Sequence, residues 1–338
     1  MPTVLDSLNQ SLHQIMDADE RVVMLGEDIL DPYGGAFKVT RGLSSRFPAR
    51  VFTTPISEAA IVGLASGLAL RGLLPIVEIM FGDFLFLAGD QLVNHAAKFR
   101  WMYNDEVRVP LVIRTPMGGR RGYGPTHSQS IEKHFMGVPG LWVVAPHVLL
   151  SPGELLRQAT LECQDPVVFI ESKTCYSRSL LPGLPEMTAT IVADAESPFP
   201  TVLFRHDRVS DPDGLMWCYG GMVPHCVEAI QHLRAAEGLS VDLAVVSQLS
   251  PVPSTHIRRI LDDARPQLSV YVEEASVAHG WSAEVLAQVQ EQIGSASDRP
   301  IRHERIGAAH SPIPSSRELE REALPQVHDI VTRVLECF

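Results

Sequence analysis

Paired cysteines are missing from this sequence. Its five cysteines are odd in number, and no two of them form a C-x-x-C pair. This argues against a disulfide framework and against a structural zinc site. We expect reduced, mostly buried thiols and a cytoplasmic location. The first residues agree with that location, because they lack the basic and apolar regions of a signal peptide and the arginine content of a transit peptide.

Long apolar runs and basic blocks are absent as well. No stretch of about 18 residues is continuously apolar, so no membrane-spanning helix is predicted. The formal charge is −12 at pH 7, and no cluster of lysines or arginines offsets it, which argues against nucleic acid as a partner. Hydrophobic residues make up 45% of the chain and charged residues 20%, so the composition is that of an ordinary globular protein.

The chain alternates between strand and helix patterns, and its 338 residues suffice for two domains. Such alternation predicts parallel sheets covered by helices, including one long helix over residues 85–102. It stops between residues 181 and 214, where proline, aspartate and serine are frequent, and then resumes. We expect an α/β fold with two parallel-sheet domains, the first at 1–180 and the second at 215–338, joined by a linker at 181–214.

Residues 53–67 read as an extended segment that turns into a helix. Pro55 suits the first helical position, and Glu58 falls in the first turn, where the helix dipole favours a carboxylate. That placement alone is a structural role. The helix after Glu58 carries many small residues, among them Gly63 and Gly67, which let another backbone approach closely. A partner packed there would shield Glu58 from water, and a shielded carboxyl can share a proton with a ligand.

A glycine-rich loop follows the predicted strand 110–115, at the sheet edge where open α/β folds bind ligands. The loop matches neither a dinucleotide fingerprint nor a P-loop. It carries His127 among hydroxyl and amide neighbours, and an imidazole there can protonate or orient a substrate oxygen. A surface histidine without a function is the alternative.

Two further groups of residues stand near predicted strand ends. Phe81, Phe84 and Phe86 are dense enough to indicate core packing, with stacking on a flat ligand as the alternative. Glu273 and Glu274 are adjacent and point to opposite sides of a strand. We expect a structural or partner-contact role for these two acids.

Six segments match, in the same order, the motifs of one enzyme family. These segments are residues 35–43, 54–58, 90–91, 122–130, 139–141 and 273–274. Together they resemble the beta subunit of the thiamine diphosphate-dependent first component of 2-oxo acid dehydrogenase complexes, of the pyruvate, acetoin or branched-chain type. The resemblance implies a transketolase-like pyrimidine-binding domain followed by a transketolase C-terminal-like domain. The sequence departs from the family pattern at Thr53, Arg120 and Arg121.

The resemblance implies roles for particular residues. Glu58 would hydrogen-bond the aminopyrimidine ring of thiamine diphosphate and promote its imino tautomer, from which the thiazolium carbon loses its proton. Ile56 would line that ring, and Phe84 would pack on it. His127 would assist decarboxylation or acyl transfer to a lipoyl group.

The resemblance also implies that this chain supplies only part of the cofactor-binding site. The superfamily holds the diphosphate and its Mg²⁺ with a Gly-Asp-Gly segment, which this sequence lacks. An alpha subunit would therefore hold that end of the cofactor, in a heterotetramer of two alpha and two beta subunits. Family members also bind potassium through backbone carbonyls around the equivalents of Leu111, Thr160 and Asp165, although no side-chain pattern here supports it.

We therefore expect the beta subunit of an enzyme that decarboxylates a small 2-oxo acid and passes the acyl group to a lipoyl group, in contact with an acyltransferase core. Activity would require the alpha subunit. Two alternatives stay open. One is a split transketolase or deoxyxylulose-phosphate-synthase-like carboligase subunit, and the other is a non-catalytic α/β subunit that only stabilises its partner.

Overall fold

A computed structural model describes residues 1–207, 209, 211–293 and 301–338. The chain forms two compact units. The first comprises Met1–Gly118 and His134–Leu180, and the second comprises Gly119–Lys133 and Leu181–Phe338. The loop that carries His127 thus belongs to the second unit, although its sequence position lies within the predicted first domain.

The strands of the first unit are all parallel. They are β1 (Val22–Gly26), β2 (Val51–Thr53), β3 (Leu74–Glu78), β4 (Val112–Met117), β5 (Trp142–Val144) and β6 (Val167–Ser172). Within the unit they pair in the order β5-β6-β4-β3-β1-β2. Every residue of β1, β3 and β4 is buried. Burial on both faces explains why β1 and β3 read as nearly continuous apolar runs in the sequence.

In the first unit one helix precedes β1, and the other helices alternate with the strands along the sequence. They are α1 (Val4–Ala18), α2 (Leu43–Arg46), α3 (Glu58–Leu70), α4 (Ala97–Met102) and α5 (Pro152–Leu161). The sequence pattern predicted one long helix over residues 85–102. That prediction is wrong, because the segment is a 3₁₀ helix at Gly82–Ala88, a π-helix at Gln91–Ala96 and then α4. Short π-helical turns are frequent at functional sites.

The second unit has a mixed sheet. Its strands are β7 (Met187–Val192), β8 (Thr201–His206), β9 (Gly214–Cys218), β10 (Val241–Val246), β11 (Gln248–Ser250), β12 (Leu268–Ser276) and β13 (Arg302–Ala308). Six of them pair in the order β13-β12-β9-β10-β8-β7. Strands β13, β12, β9 and β10 are parallel, whereas β8 runs antiparallel to both of its neighbours. The predicted α/β class is confirmed, with an antiparallel edge that the sequence pattern did not indicate.

The helices of the second unit follow its strands. They are α6 (Val223–Glu237), α7 (Ser254–Ala264), α8 (Trp281–Ile293), α9 (Arg317–Ala323) and α10 (Val327–Leu335). Across both units, none of the helices that the structure describes has the length and apolar character to cross a bilayer.

The segment 181–214, predicted as a linker between the domains, contains strands β7 and β8. Four of the six β7 residues are exposed, as befits an edge strand, and such a strand has no apolar run to detect. Residues 208 and 210 of this segment lie outside the described residues, as do 294–300. The boundaries at 180 and 214 stay predictions.

Candidate active site

Glu58 is the first residue of α3, and only 5% of its surface is exposed. The helix packs against β1, β3 and the 3₁₀ helix at Gly82–Ala88, and Ile61 and Ala65 are among the residues that it buries. The N-terminal dipole and unpaired N–H groups of α3 favour a carboxylate at this position. The sequence suggested that a partner would shield Glu58, but the first unit already excludes most water from it.

A second acid, Glu27, lies near Glu58. It follows β1 directly and is 8% exposed. Burial raises its pKa, and the negative charges of Glu58 and Asp28 raise it further. Among the residues described, none hydrogen-bonds Oε1 of Glu27. Glu27 therefore retains a proton more readily than an exposed glutamate does.

The sequence offered one signal for Glu27 that was not used. An acid directly after a buried parallel strand lies at the carboxyl edge of the sheet, where ligands bind in open α/β folds. Glu58 reaches the same edge, because α3 follows the end of β2.

Apolar surface adjoins this acid pair. Ile56, two residues before Glu58, is 83% exposed. Phe84 is half-buried in the 3₁₀ helix that packs on α3, and its ring meets the ring of Phe81 edge-on at 5.9 Å between centroids. Core packing thus explains part of the Phe84 surface and leaves the rest exposed.

The outer face of α3 consists of apolar and small residues. Leu64 is 54% exposed and Leu70 is 42% exposed. Among the described residues, none outside the neighbouring backbone of α3 has an atom within 4 Å of a Cβ added at Gly67. Exposed apolar side chains beside small residues are typical of a surface that packs against another protein.

A buried ion cluster connects three neighbouring strands of the first unit. Arg114 of β4 donates Nη1 to Glu78 of β3 at 2.8 Å, and it donates Nε and Nη2 to Glu171 of β6 at 2.7 Å each. The Tyr176 hydroxyl donates to Glu171 at 2.6 Å. Burial raises the pKa of Glu78, although Arg114 opposes that shift. The cluster was not predicted, since its members are far apart in sequence.

The same cluster explains one glycine of the family motif at 35–43. Gly35 has φ +76°, and a Cβ there would lie 2.5 Å from Oε1 of Glu78. Only glycine combines that backbone conformation with such a close approach.

His127 lies in the second unit, whereas Glu58, Ile56 and Phe84 lie in the first. His127 is half-buried. Its backbone N–H donates to the Gly124 carbonyl at 3.3 Å, and its Nδ1 is 3.1 Å from Oγ1 of Thr126. At the end of the loop, Lys133 donates Nζ to Ser276 Oγ at 2.9 Å. The imidazole is therefore carried by a loop with defined internal contacts.

The structural role predicted for the adjacent glutamates is confirmed. Glu273 accepts hydrogen bonds from the backbone N–H groups of Trp281 and Ser282 at 2.9 and 3.2 Å. It thus provides acceptors for N–H groups that have no partner within the first turn of α8. Glu274 accepts from the Gly119 N–H at 2.7 Å.

The residues named for potassium lie in the first unit. The Leu111 carbonyl accepts from the Val167 N–H at 2.8 Å, and Thr160 is buried within α5. The Asp165 carboxylate accepts from Arg100 at 2.7 Å. Potassium binding stays a prediction.

Comparison with known proteins defines the class of this fold. The family model "Transketolase, pyrimidine binding domain" matches residues 1–178, and "Transketolase, C-terminal domain" matches residues 207–330. A solved structure described as "Split gene transketolase, inactive beta4 tetramer" has a TM-score of 0.72 at 19% identity, over 99% of this chain and 98% of that chain. The fold is that of a transketolase-like protein.

Closer relatives define the family. The chain is 36% identical to the Arabidopsis thaliana pyruvate dehydrogenase E1 component subunit beta-1, mitochondrial, over 97% of this chain and 87% of that protein. It is 33% identical to the Mycobacterium tuberculosis 3-methyl-2-oxobutanoate dehydrogenase subunit beta, over 98% and 92%. It is 34% identical to the Cupriavidus necator acetoin:2,6-dichlorophenolindophenol oxidoreductase subunit beta, over 96% and 94%. The chain belongs to this transketolase-like family of 2-oxo acid dehydrogenase E1 beta subunits.

Proposed function

We propose that this chain supplies a catalytic acid, Glu58, to a thiamine diphosphate-dependent 2-oxo acid dehydrogenase whose active site is completed by an alpha subunit. The observation that carries the proposal is the burial of Glu58 at the start of α3, beside a second acid with a raised pKa. A stabilising subunit without catalytic work has no need of two adjacent, poorly hydrated carboxyls, which are costly to bury.

The residues near Glu58 fit the aminopyrimidine end of thiamine diphosphate. A flat ring that carries hydrogen-bonding nitrogens needs a polar partner at its edge and apolar surface at its faces. Glu58 offers the first, and Ile56 and Phe84 offer the second. The bound cofactor supplies the reactive carbon and the electron sink for decarboxylation.

The role of this chain is to hold and move a proton. The Glu58 carboxyl would hydrogen-bond a ring nitrogen of the pyrimidine and exchange a proton with it. Glu27 would keep that proton available, because its own pKa is raised by burial and by the nearby charge of Glu58. The half-buried imidazole of His127 would protonate or orient a substrate oxygen.

The remaining parts of the active site are assigned to other chains. The diphosphate and its Mg²⁺ would be held by the alpha subunit, in a heterotetramer of two alpha and two beta subunits. The low apolar face of α3, with Leu64, Gly67 and Leu70, supports a partner contact on this side. The acyl group would pass to a lipoyl group of an acyltransferase core. The cytoplasmic location stays a prediction, since the Arabidopsis relative is named as mitochondrial.

Co-expression with the alpha subunit tests the proposal. The purified assembly should release CO₂ from a small 2-oxo acid only when thiamine diphosphate and Mg²⁺ are present, and it should acylate a lipoyl domain. This chain alone should bind thiamine diphosphate weakly. Transfer of ketol groups between sugar phosphates without decarboxylation would favour the carboligase alternative and contradict the proposal.

A further inference from the structure

One carboxylate of the second unit bonds to two backbone amides at the start of the His127 loop. Glu320, on helix α9, is 2% exposed. Its Oε1 accepts from the Arg120 N–H and its Oε2 accepts from the Gly122 N–H, at 2.8 Å each. Both oxygens of this acid are therefore used by residues that bracket Arg121.

The backbone held by Glu320 is in an unfavourable conformation. Arg120 has φ +71° and Gly122 has φ +70°. The left-handed region suits glycine, but a residue with a side chain enters it at a cost in free energy. Arg120 keeps this conformation because its N–H is bonded and its side chain is anchored, as the next contacts show.

The Arg120 side chain is bound on the same surface. Its Nη2 donates to the Pro325 carbonyl at 2.7 Å, its Nη1 donates to Gln326 Oε1 at 3.3 Å, and its Nε is 3.4 Å from Glu274 Oε2. The positive charge that departs from the family pattern is thus part of the loop's attachment to the segment around α9.

Close packing reinforces these hydrogen bonds. A Cβ at Gly119 would lie 2.6 Å from Leu324 Cδ1, and a Cβ at Gly122 would lie 3.2 Å from Arg317 Cγ. The loop therefore rests directly on the segment 315–326, and a side chain at residue 119 would require the Leu324 side chain to move.

We propose that Glu320 is a positioning residue that holds residues 119–124 on α9 and thereby fixes the place of His127. The coupling is short, since Gly124 follows Gly122 by two residues and its carbonyl accepts from the His127 N–H. The proposal rests on the proposed function, because it assigns His127 to substrate. It also gives the α9 segment, which had no motif in the sequence, a role in the reaction.

The test is the variant Glu320→Gln, with Glu322→Gln as the matched control on the exposed side of the same helix. A glutamine presents one acceptor and one NH₂ group, so one of the two amides loses its bond. In the full chain we expect hydrogen exchange at whichever of the Arg120 and Gly122 amides loses its bond to become faster by about tenfold or more, with amides outside this loop unchanged. Unchanged exchange at both amides would show that Glu320 does not hold this part of the loop.

Activity is then measured in the assembly with the alpha subunit. We expect kcat for the 2-oxo acid to fall by about tenfold or more with little change in KM, since His127 would act on bound substrate. Faster exchange with an unaltered kcat would overturn the positioning role. If the parent assembly decarboxylates no 2-oxo acid, the proposed function fails. The exchange result still decides whether Glu320 holds the loop at residues 120–122.

A second variant covers the case in which Glu320→Gln does not fold. Gly122→Ala leaves the acid in place and disturbs the loop from its own side, because a Cβ there meets Arg317 and occupies a left-handed backbone. It should reproduce the faster exchange at residues 120–122 and the lower kcat. Unchanged exchange and kcat in this variant would overturn the proposal.

Discussion

The Tyr219 hydroxyl donates a hydrogen bond of 2.5 Å to Oε1 of Glu132, and both side chains are buried in the second unit. Within the described part of the chain, Oε2 of Glu132 has no hydrogen-bond partner. Burial raises the pKa of Glu132 from 4.5 to about 7, the bond from Tyr219 opposes this, and the charges of Glu273 and Glu274 add to the rise. The folded protein therefore favours the protonated acid.

This pKa predicts how stability depends on pH. Glu132 ionises near 4.5 in the unfolded chain and near 7 in the folded protein, so the folded state binds more protons between these values. Its contribution to the free energy of unfolding is complete below pH 4.5. About 3 kcal/mol of this contribution is lost as the pH rises from 4.5 through 7. Glu132→Gln removes this loss, so its melting temperature relative to the parent should be higher at pH 8 than at pH 5.

The exposed Glu322→Gln serves as the control and should show no such pH-dependent difference. If Glu132→Gln and the parent protein change in parallel between pH 5 and 8, the raised pKa is wrong.

The buried cluster in the first unit gives a second prediction. Arg114→Met leaves the carboxylates of Glu78 and Glu171 without their cation. Removing one partner of a buried ion cluster costs about 3–5 kcal/mol in the free energy of unfolding, which urea denaturation at pH 7 can measure. The exposed Arg178→Met should change stability by less than about 0.5 kcal/mol. Equal effects of the two variants would contradict the stabilising role of the cluster.

Two glycines of the first unit separate steric overlap from backbone strain. Gly140 and Gly137 have φ +81° and +74°. A Cβ at Gly140 would overlap the carbonyl oxygen of Ala97, whereas a Cβ at Gly137 would have no atom of the part of the chain that the structure describes within 4 Å, apart from its chain neighbours. Gly137→Ala should cost about 1 kcal/mol through strain. Gly140→Ala should cost at least about 2 kcal/mol more, because the overlap is with the backbone. Similar melting temperatures for the two variants would show that the close approach is absent.

Substitutions at Gly67 distinguish the stability of the chain itself from its contact with a partner. It is an exposed position within α3 with open space around its Cβ. Gly67→Ala should stabilise the chain by about 0.5–1 kcal/mol, because alanine is the better helix former. Gly67→Phe should be tolerated by the chain but should reduce co-purification with the alpha subunit. Undiminished co-purification of Gly67→Phe would place the partner elsewhere.

The sequence predicted the fold where a single physical signal dominates. Strands β1 and β3 are buried on both faces, so their apolar runs were unambiguous. The alternation of such runs with helices indicated the α/β class. It could not indicate the broken helix at 82–102, since backbone breaks into 3₁₀ and π turns leave the apolar pattern intact. It could not indicate β7 either, because an exposed edge strand needs no apolar side chains.

The candidate site divides in the same way. Glu58 was found because local rules place an acid at the start of a helix, and Glu27 could have been found from its position after β1. Glu320 had no such signal. Its contacts with Arg120 and Gly122 join positions about 200 residues apart, and nothing in either segment alone specifies the pairing.

The most direct measurement is turnover by Glu58→Gln in the complete assembly with its alpha subunit. The variant keeps the size of the side chain but cannot exchange a proton. The exposed Glu106→Gln is its control. We predict an intact assembly in which decarboxylation falls by about 100-fold or more, while Glu106→Gln retains parent activity. Full turnover by Glu58→Gln would contradict the account.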